Sequence, residues 1–121
     1  MNWTSILIFA VLVVLFVLWK RAGQISRKAA AEHLKHGAMV IDVRTAAEYT
    51  AGHLPNAVNM PLSEVEALVA RKVKDKNRIL LLHCQSGMRS GVARRKLIAM
   101  GYAQTFNLGS YGRAAQIIKG R

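Results

Sequence analysis

Fourteen consecutive apolar residues, Ile6–Trp19, stand near the start of this 121-residue chain and limit what it can become. No polar face interrupts them, so packing one stripe against a soluble core does not account for them. Two outlets remain, a membrane span or a cleaved leader. Counted from Trp3, the stretch is roughly 25 Å long as a helix, against a hydrocarbon core of about 30 Å. Trp3 and Trp19 bracket it as interfacial aromatics do, and Lys20-Arg21 suit the headgroup level. A leader would carry Lys or Arg before the run and a small-x-small pattern after it, and the sequence has neither. The expectation is a transmembrane anchor with a basic flank at residues 1–22 and a separate domain at residues 23–121. Lys20, Arg21, Arg27 and Lys28 just after the span place that domain on the cytoplasmic face of the cell membrane, as a single-pass protein.

The net charge of +12 raises the question of nucleic acid. Four of the basic residues are juxtamembrane, where each gains about 1 kcal/mol near an anionic leaflet. A second cluster, Arg71, Lys72, Lys74, Lys76 and Arg78, has no aromatics interleaved to stack bases. The membrane is the expected partner and nucleic acid is not. A single cysteine forms no internal disulfide, and four scattered histidines match no ligand spacing, so neither a metal nor another cofactor is expected.

The remainder alternates. Ser26 caps a helix over Arg27–His36 that ends at Gly37, and Met39–Val43 reads as a buried strand. Thr45-Ala46-Ala47-Glu48 is a capping box opening a short helix that Gly52 ends. Ala57–Met60 is a second strand, stopped by Pro61, and Ser63-Glu64-Val65-Glu66 a second capping box. Ile79–Leu82 reads as a strand covered on both faces and Ser90–Met100 as a helix. Ala103–Leu108 and a terminal helix complete the series. The expected fold is α/β, a small parallel sheet with helices on both faces, preceded by one transmembrane helix. Ligands of such sheets bind beyond the carboxyl ends of the strands.

Cys84, the only cysteine, falls at such an end, where Ile79–Leu82 gives way to a helix. A helix start offers unpaired N–H groups and the positive end of the macrodipole. With a guanidinium nearby, that setting lowers a cysteine pKa from about 8.5 toward roughly 3.5–7.5. Gly87 lets the backbone curl its N–H groups inward as an anion nest. Arg89 in the first turn opposes the dipole, which argues for an anionic partner. Gln85, Ser86 and Met88 are expected to shape the pocket and to contribute N–H groups to the bound substrate. His83 precedes the cysteine, but adjacent strand side chains face opposite ways.

The loop Cys84-Gln85-Ser86-Gly87-Met88-Arg89, taken with Asp42-Val43-Arg44, Glu48-Tyr49 and the stretch from Gly52-His53-Leu54-Pro55 to Met60-Pro61, resembles a single-domain rhodanese, a sulfurtransferase, over roughly Ile25 to Ile118. The resemblance implies that Cys84 cycles through a persulfide, taking sulfane sulfur from a small donor such as thiosulfate and passing it to a thiol or cyanide. It makes Cys84 and Arg89 catalytic and assigns Asp42, Arg44 and Glu48 to a structural charge cluster, in which Arg44 and Glu48 are expected to pair. A membrane-tethered persulfide-sensing or binding module is the alternative. A phosphatase or arsenate reductase shares the architecture, but four residues lie between Cys84 and Arg89 where the phosphatase loop has five. After Asn107-Leu108-Gly109 the chain reads Ser110-Tyr111, where rhodaneses usually carry Gly and then Trp.

Overall fold

A computed structural model describes residues 2–21 and 23–120, with backbone only at 20 and 21. The expected roles of Lys20 and Arg21 side chains lie outside the described residues. Ten elements follow in order: α1 (Trp3–Arg21), α2 (Arg27–Lys35), β1 (Met39–Asp42), α3 (Ala46–Ala51), β2 (Val58–Asn59), α4 (Val65–Lys72), β3 (Leu80–His83), α5 (Met88–Ala99), β4 (Thr105–Gly109) and α6 (Tyr111–Lys119).

The four strands form one parallel sheet in the order β2-β1-β3-β4. Successive strand residues face opposite ways, so β3 serves two cores at once. Leu80 and Leu82 join Ile41, Val65, Val69, Ala93 and Leu97 on the side of α4 and α5. Leu81 joins Val40, Leu108, Ala30, Ala114 and Ile117 on the side of α2 and α6. All four residues of β3 are fully buried, which is why the strand reads as a continuous apolar run.

Ser26 and Thr45 cap α2 and α3 as the sequence requires; the Thr45–Glu48 box is closed in both directions, at 3.2 and 3.1 Å. The box expected from Ser63 to Glu66 does not form. Glu64 N–H bonds Pro61 C=O at 2.8 Å, so Ser63 is taken up in the Pro61 turn and α4 starts at Val65 without a side-chain cap. Strand β2 shrinks to two residues at the sheet edge.

The expected Arg44–Glu48 pair is not made. Arg44 turns back onto Asp42, its Nε 3.0 Å from Oδ1 and its Nη2 2.8 Å from Oδ2, and donates a further bond to Gly52 C=O at 2.7 Å. Both residues are buried, and the guanidinium lies 4.8 Å from the Tyr111 ring centre. The separation of two residues lets a short Asp side chain reach the Arg44 backbone N–H as well, at 3.0 Å, which Glu48 on the next helix has no geometry to match. Asp42→Ala would strand a buried guanidinium. The expected loss is about 3–5 kcal/mol of stability in chemical unfolding followed by circular dichroism; a loss under about 1 kcal/mol would show that Arg44 finds water or another partner.

Helix α1 has 19 residues, and its large apolar side chains from Ile6 to Trp19 are 39–69% exposed. Within α1 the described side chains run to Trp19, and among the described residues no helix is long and apolar enough to cross a membrane, so the expected transmembrane helix is not found.

Candidate active site

The turn after β3 is built on Gly87, which caps α5 with φ +94°, a left-handed conformation that favours glycine. Helix α5 begins at Met88, two residues before the expected start at Ser90, because Gly87 C=O already accepts Gly91 N–H at 3.1 Å. Met88, Arg89 and Ser90 therefore occupy the first helical turn. The other side of the turn is stitched to the β4–α6 connection: Cys84 N–H lies 3.4 Å from Gly109 C=O, and Tyr111 N–H donates to Gln85 C=O at 3.2 Å.

The Cys84 side chain is buried, on the α4–α5 face of the sheet. Its Sγ accepts Gly87 N–H at 3.0 Å and lies 3.5 Å from the Ser90 hydroxyl. Burial pushes the thiol up, yet the Ser90 hydroxyl and the backbone N–H groups of Ser90, Gly87 and Ser86 outweigh it and bring it below the ordinary cysteine value. The N–H groups and the Ser90 hydroxyl thus favour the charged form of the sulfur. Ser90 was not singled out in the sequence; its place six residues beyond the cysteine, in the first turn of a helix, is the signal that would have found it.

Arg89 does not stand free. Its Nη1 and Nη2 bond Glu48 Oε1 and Oε2 at 2.6 and 3.0 Å, so the anionic partner inferred from its place against the dipole includes a carboxylate of the protein itself. Arg89 and the Thr45 backbone N–H hold the Glu48 carboxyl down at about 2. A lowered carboxyl contributes stability above its ordinary pKa, and this contribution fades as pH falls from about 4.5 toward 2. Glu48 thus links the α3 cap to the first turn of α5.

His83 is fully buried on the opposite face from Cys84, its Nε2 3.8 Å from Asp42 Oδ2 and its ring edge-on to Tyr111 at 5.8 Å. Burial disfavours the charged ring against the pull of Asp42, and the sheet separates the ring from the sulfur. His53 stacks on Tyr49 at 3.8 Å. Gln85 and Ser86 are exposed, and Ser86 Oγ accepts Met88 N–H at 3.4 Å. Met88 is 64% exposed. A cleft of about 710 Å³ is walled by Ser86, Gly87, Met88, Arg89 and Asn107 together with α1 residues Phe16 and Trp19; Cys84, buried, is not on its wall. Among the described residues, no three His, Cys, Asp or Glu side chains cluster to hold a metal ion.

Comparison with known proteins agrees with this arrangement. Residues 26–112 match the family model of the rhodanese-like domain. The thiosulfate sulfurtransferase PspE of Escherichia coli (strain K12) is 41% identical over 69 residues, which are 57% of this chain and 66% of that protein, so the chain spans just under two thirds of it. The uncharacterized protein YqhL of Bacillus subtilis (strain 168) is 30% identical over 111 residues, 88% of this chain and 86% of that protein, a match long enough to reach back into α1. The solved structure of the human single-domain sulfurtransferase TSTD1 superposes with a TM-score of 0.63 at 29% identity, covering 78% of this chain and 96% of that one. The chain belongs to the rhodanese-like family.

Proposed function

We propose that the protein is a membrane-anchored sulfurtransferase in which Cys84 carries sulfane sulfur as a persulfide. The observation that supports this most is the thiol itself, held by Gly87 N–H at 3.0 Å and by Ser90 in a loop that lowers its pKa. The thiolate attacks the outer sulfur of thiosulfate, the bond between its two sulfurs breaks, and sulfite leaves with the electron pair. The enzyme then holds Cys84 as S–S⁻, whose charge the N–H cradle stabilises. Cyanide or a thiolate takes the outer sulfur, forming thiocyanate or a persulfide, and the Cys84 thiolate returns.

Cys84 is the nucleophile, and Gln85, Ser86, Gly87 and Met88 form the substrate mouth. Arg89, tied to Glu48, acts as a fixed positive charge at the entrance. That tie disfavours a phosphatase, which needs an unengaged guanidinium to grip a tetrahedral oxyanion. Asp42 and Arg44 brace the sheet. The reading predicts steady-state thiosulfate:cyanide turnover by the full chain; a folded protein with none, but with phosphatase activity, would overturn it.

The anchor is α1. The α1 backbone helix has 19 residues, about 28 Å at 1.5 Å per residue, against a hydrocarbon thickness of about 30 Å. Its exposed apolar surface supports lipid as the surrounding medium. The basic residues after it favour a cytoplasmic domain. The full-length protein is expected to stay in membranes through alkaline carbonate extraction and to show activity of a cytoplasm-specific reporter at Arg121; release into the supernatant or a signal only from an external reporter would overturn this part.

A further inference from the structure

Asn107 is a polar residue in β4, 4% exposed, on the face that carries the Cys84 core. Its side-chain contacts all converge on the cysteine loop and the strand end beneath it. Nδ2 donates to Gly87 C=O at 3.1 Å, while Oδ1 accepts Gly109 N–H at 2.8 Å and the Ser90 hydroxyl at 2.7 Å. Gly87 C=O only accepts and Gly109 N–H only donates, so the amide has one orientation. The backbone behind it is equally fixed. Asn107 C=O accepts Ile25 N–H at 3.0 Å, and Asn107 pairs with Leu82 of β3 just before the register slips between Leu82 and His83.

The two residues held by the Asn107 side chain at the start of α5, Gly87 and Ser90, are the two that touch the sulfur. Gly87 supplies the N–H at 3.0 Å, and Ser90 the hydroxyl at 3.5 Å. Clamping Gly87 C=O fixes the Gly87–Met88 peptide plane at the start of α5; the Gly87 N–H lies in the preceding plane, across the φ +94° bend, and is reached by the clamp only through the Gly87 Cα. The Ser90 hydroxyl has one proton. At 2.7 Å from Asn107 Oδ1 and 3.5 Å from Sγ it is held by Asn107 beside the sulfur, ready to turn toward a charged one.

We propose that Asn107 is a positioning residue for the Cys84 cradle, holding the Ser90 hydroxyl beside the sulfur and, through the Gly87 carbonyl, anchoring the start of α5 on which the cradle is built. The proposal rests on Cys84 as the reactive group, but its readout, alkylation, needs no sulfur transfer and so fails separately from the sulfurtransferase reading.

The test is the pH profile of Cys84 alkylation by iodoacetamide in the full-length chain. Asn107→Ala should move the midpoint to higher pH and slow alkylation at neutral pH about 10-fold, the size of one hydrogen bond to a charged group. Ser90→Ala should slow it as well, and the double variant should lose less than the two single losses multiplied, because Asn107 acts partly through Ser90. A parental midpoint in folded Asn107→Ala overturns the proposal, as does full multiplicativity of the two losses. Should Asn107→Ala not fold, the unsubstituted chain decides. Its Asn107 side-chain amide resonance should titrate with the Cys84 midpoint, and a signal flat through that midpoint overturns the proposal.

Discussion

Cys84→Ser is expected to abolish sulfur transfer, lowering thiosulfate:cyanide turnover by on the order of 1000-fold or more. The serine oxygen fits the same cradle and keeps the Gly87 N–H within reach. It lacks the two properties that the thiol has here. A hydroxyl is not ionised near neutrality, and oxygen forms no stable link to sulfane sulfur that a second nucleophile can discharge. The fold should be unaffected, because the sulfur packs within a large shared core and the exchange changes little volume. A well-folded Cys84→Ser variant with parental turnover would remove the cysteine from the mechanism, whereas one that loses turnover but keeps the biological role would favour a binding role for the domain.

Gly87→Ala is expected to damage both fold and chemistry. The residue sits at φ +94°, where an L side chain is strained by roughly 1–2 kcal/mol. An added Cβ would also stand 3.2 Å from Cα and carbonyl C of Gly109, backbone atoms with no freedom to swing aside. The loop relieves the contact only by moving away from the β4 end, which carries the Gly87 N–H off the sulfur. Loss of one well-aimed donor at a developing charge corresponds to about 100- to 1000-fold in rate. Turnover should fall by about that factor, the midpoint of alkylation should rise in pH, and the unfolding midpoint should drop. Unchanged alkylation in this variant would mean that Ser90 and the other N–H groups hold the anion unaided.

Much of this arrangement is legible in the residues themselves. The unbroken apolar run before Cys84 dictates a strand covered on both faces, and Ser26 and Thr45 mark helix starts through local hydrogen-bonding chemistry that survives in the fold. The cysteine's position at the strand end follows from alternation alone. Charge partners are less legible because they are set by geometry across elements. Arg44 has Asp42 two residues before it and Glu48 four after it, and only the bend at the end of β1 brings the nearer carboxylate into bidentate reach. Glu48 is then left for Arg89, 41 residues away in the chain. The Ser63 box fails for a similar reason, since the Pro61 turn uses the same backbone before the helix begins. Ser90 and Asn107 carry no motif of their own; a polar residue in an apolar strand announces a buried partner without saying which.

The central claim is that Cys84 accepts and gives up one sulfur atom. Intact-mass and peptide mass spectrometry of the full-length chain after thiosulfate treatment tests it most directly. The account predicts a gain of a single sulfur, located on Cys84, absent in Cys84→Ser and removed by cyanide with formation of thiocyanate. A folded protein whose Cys84 alkylates readily at neutral pH yet gains no sulfur from thiosulfate would contradict it.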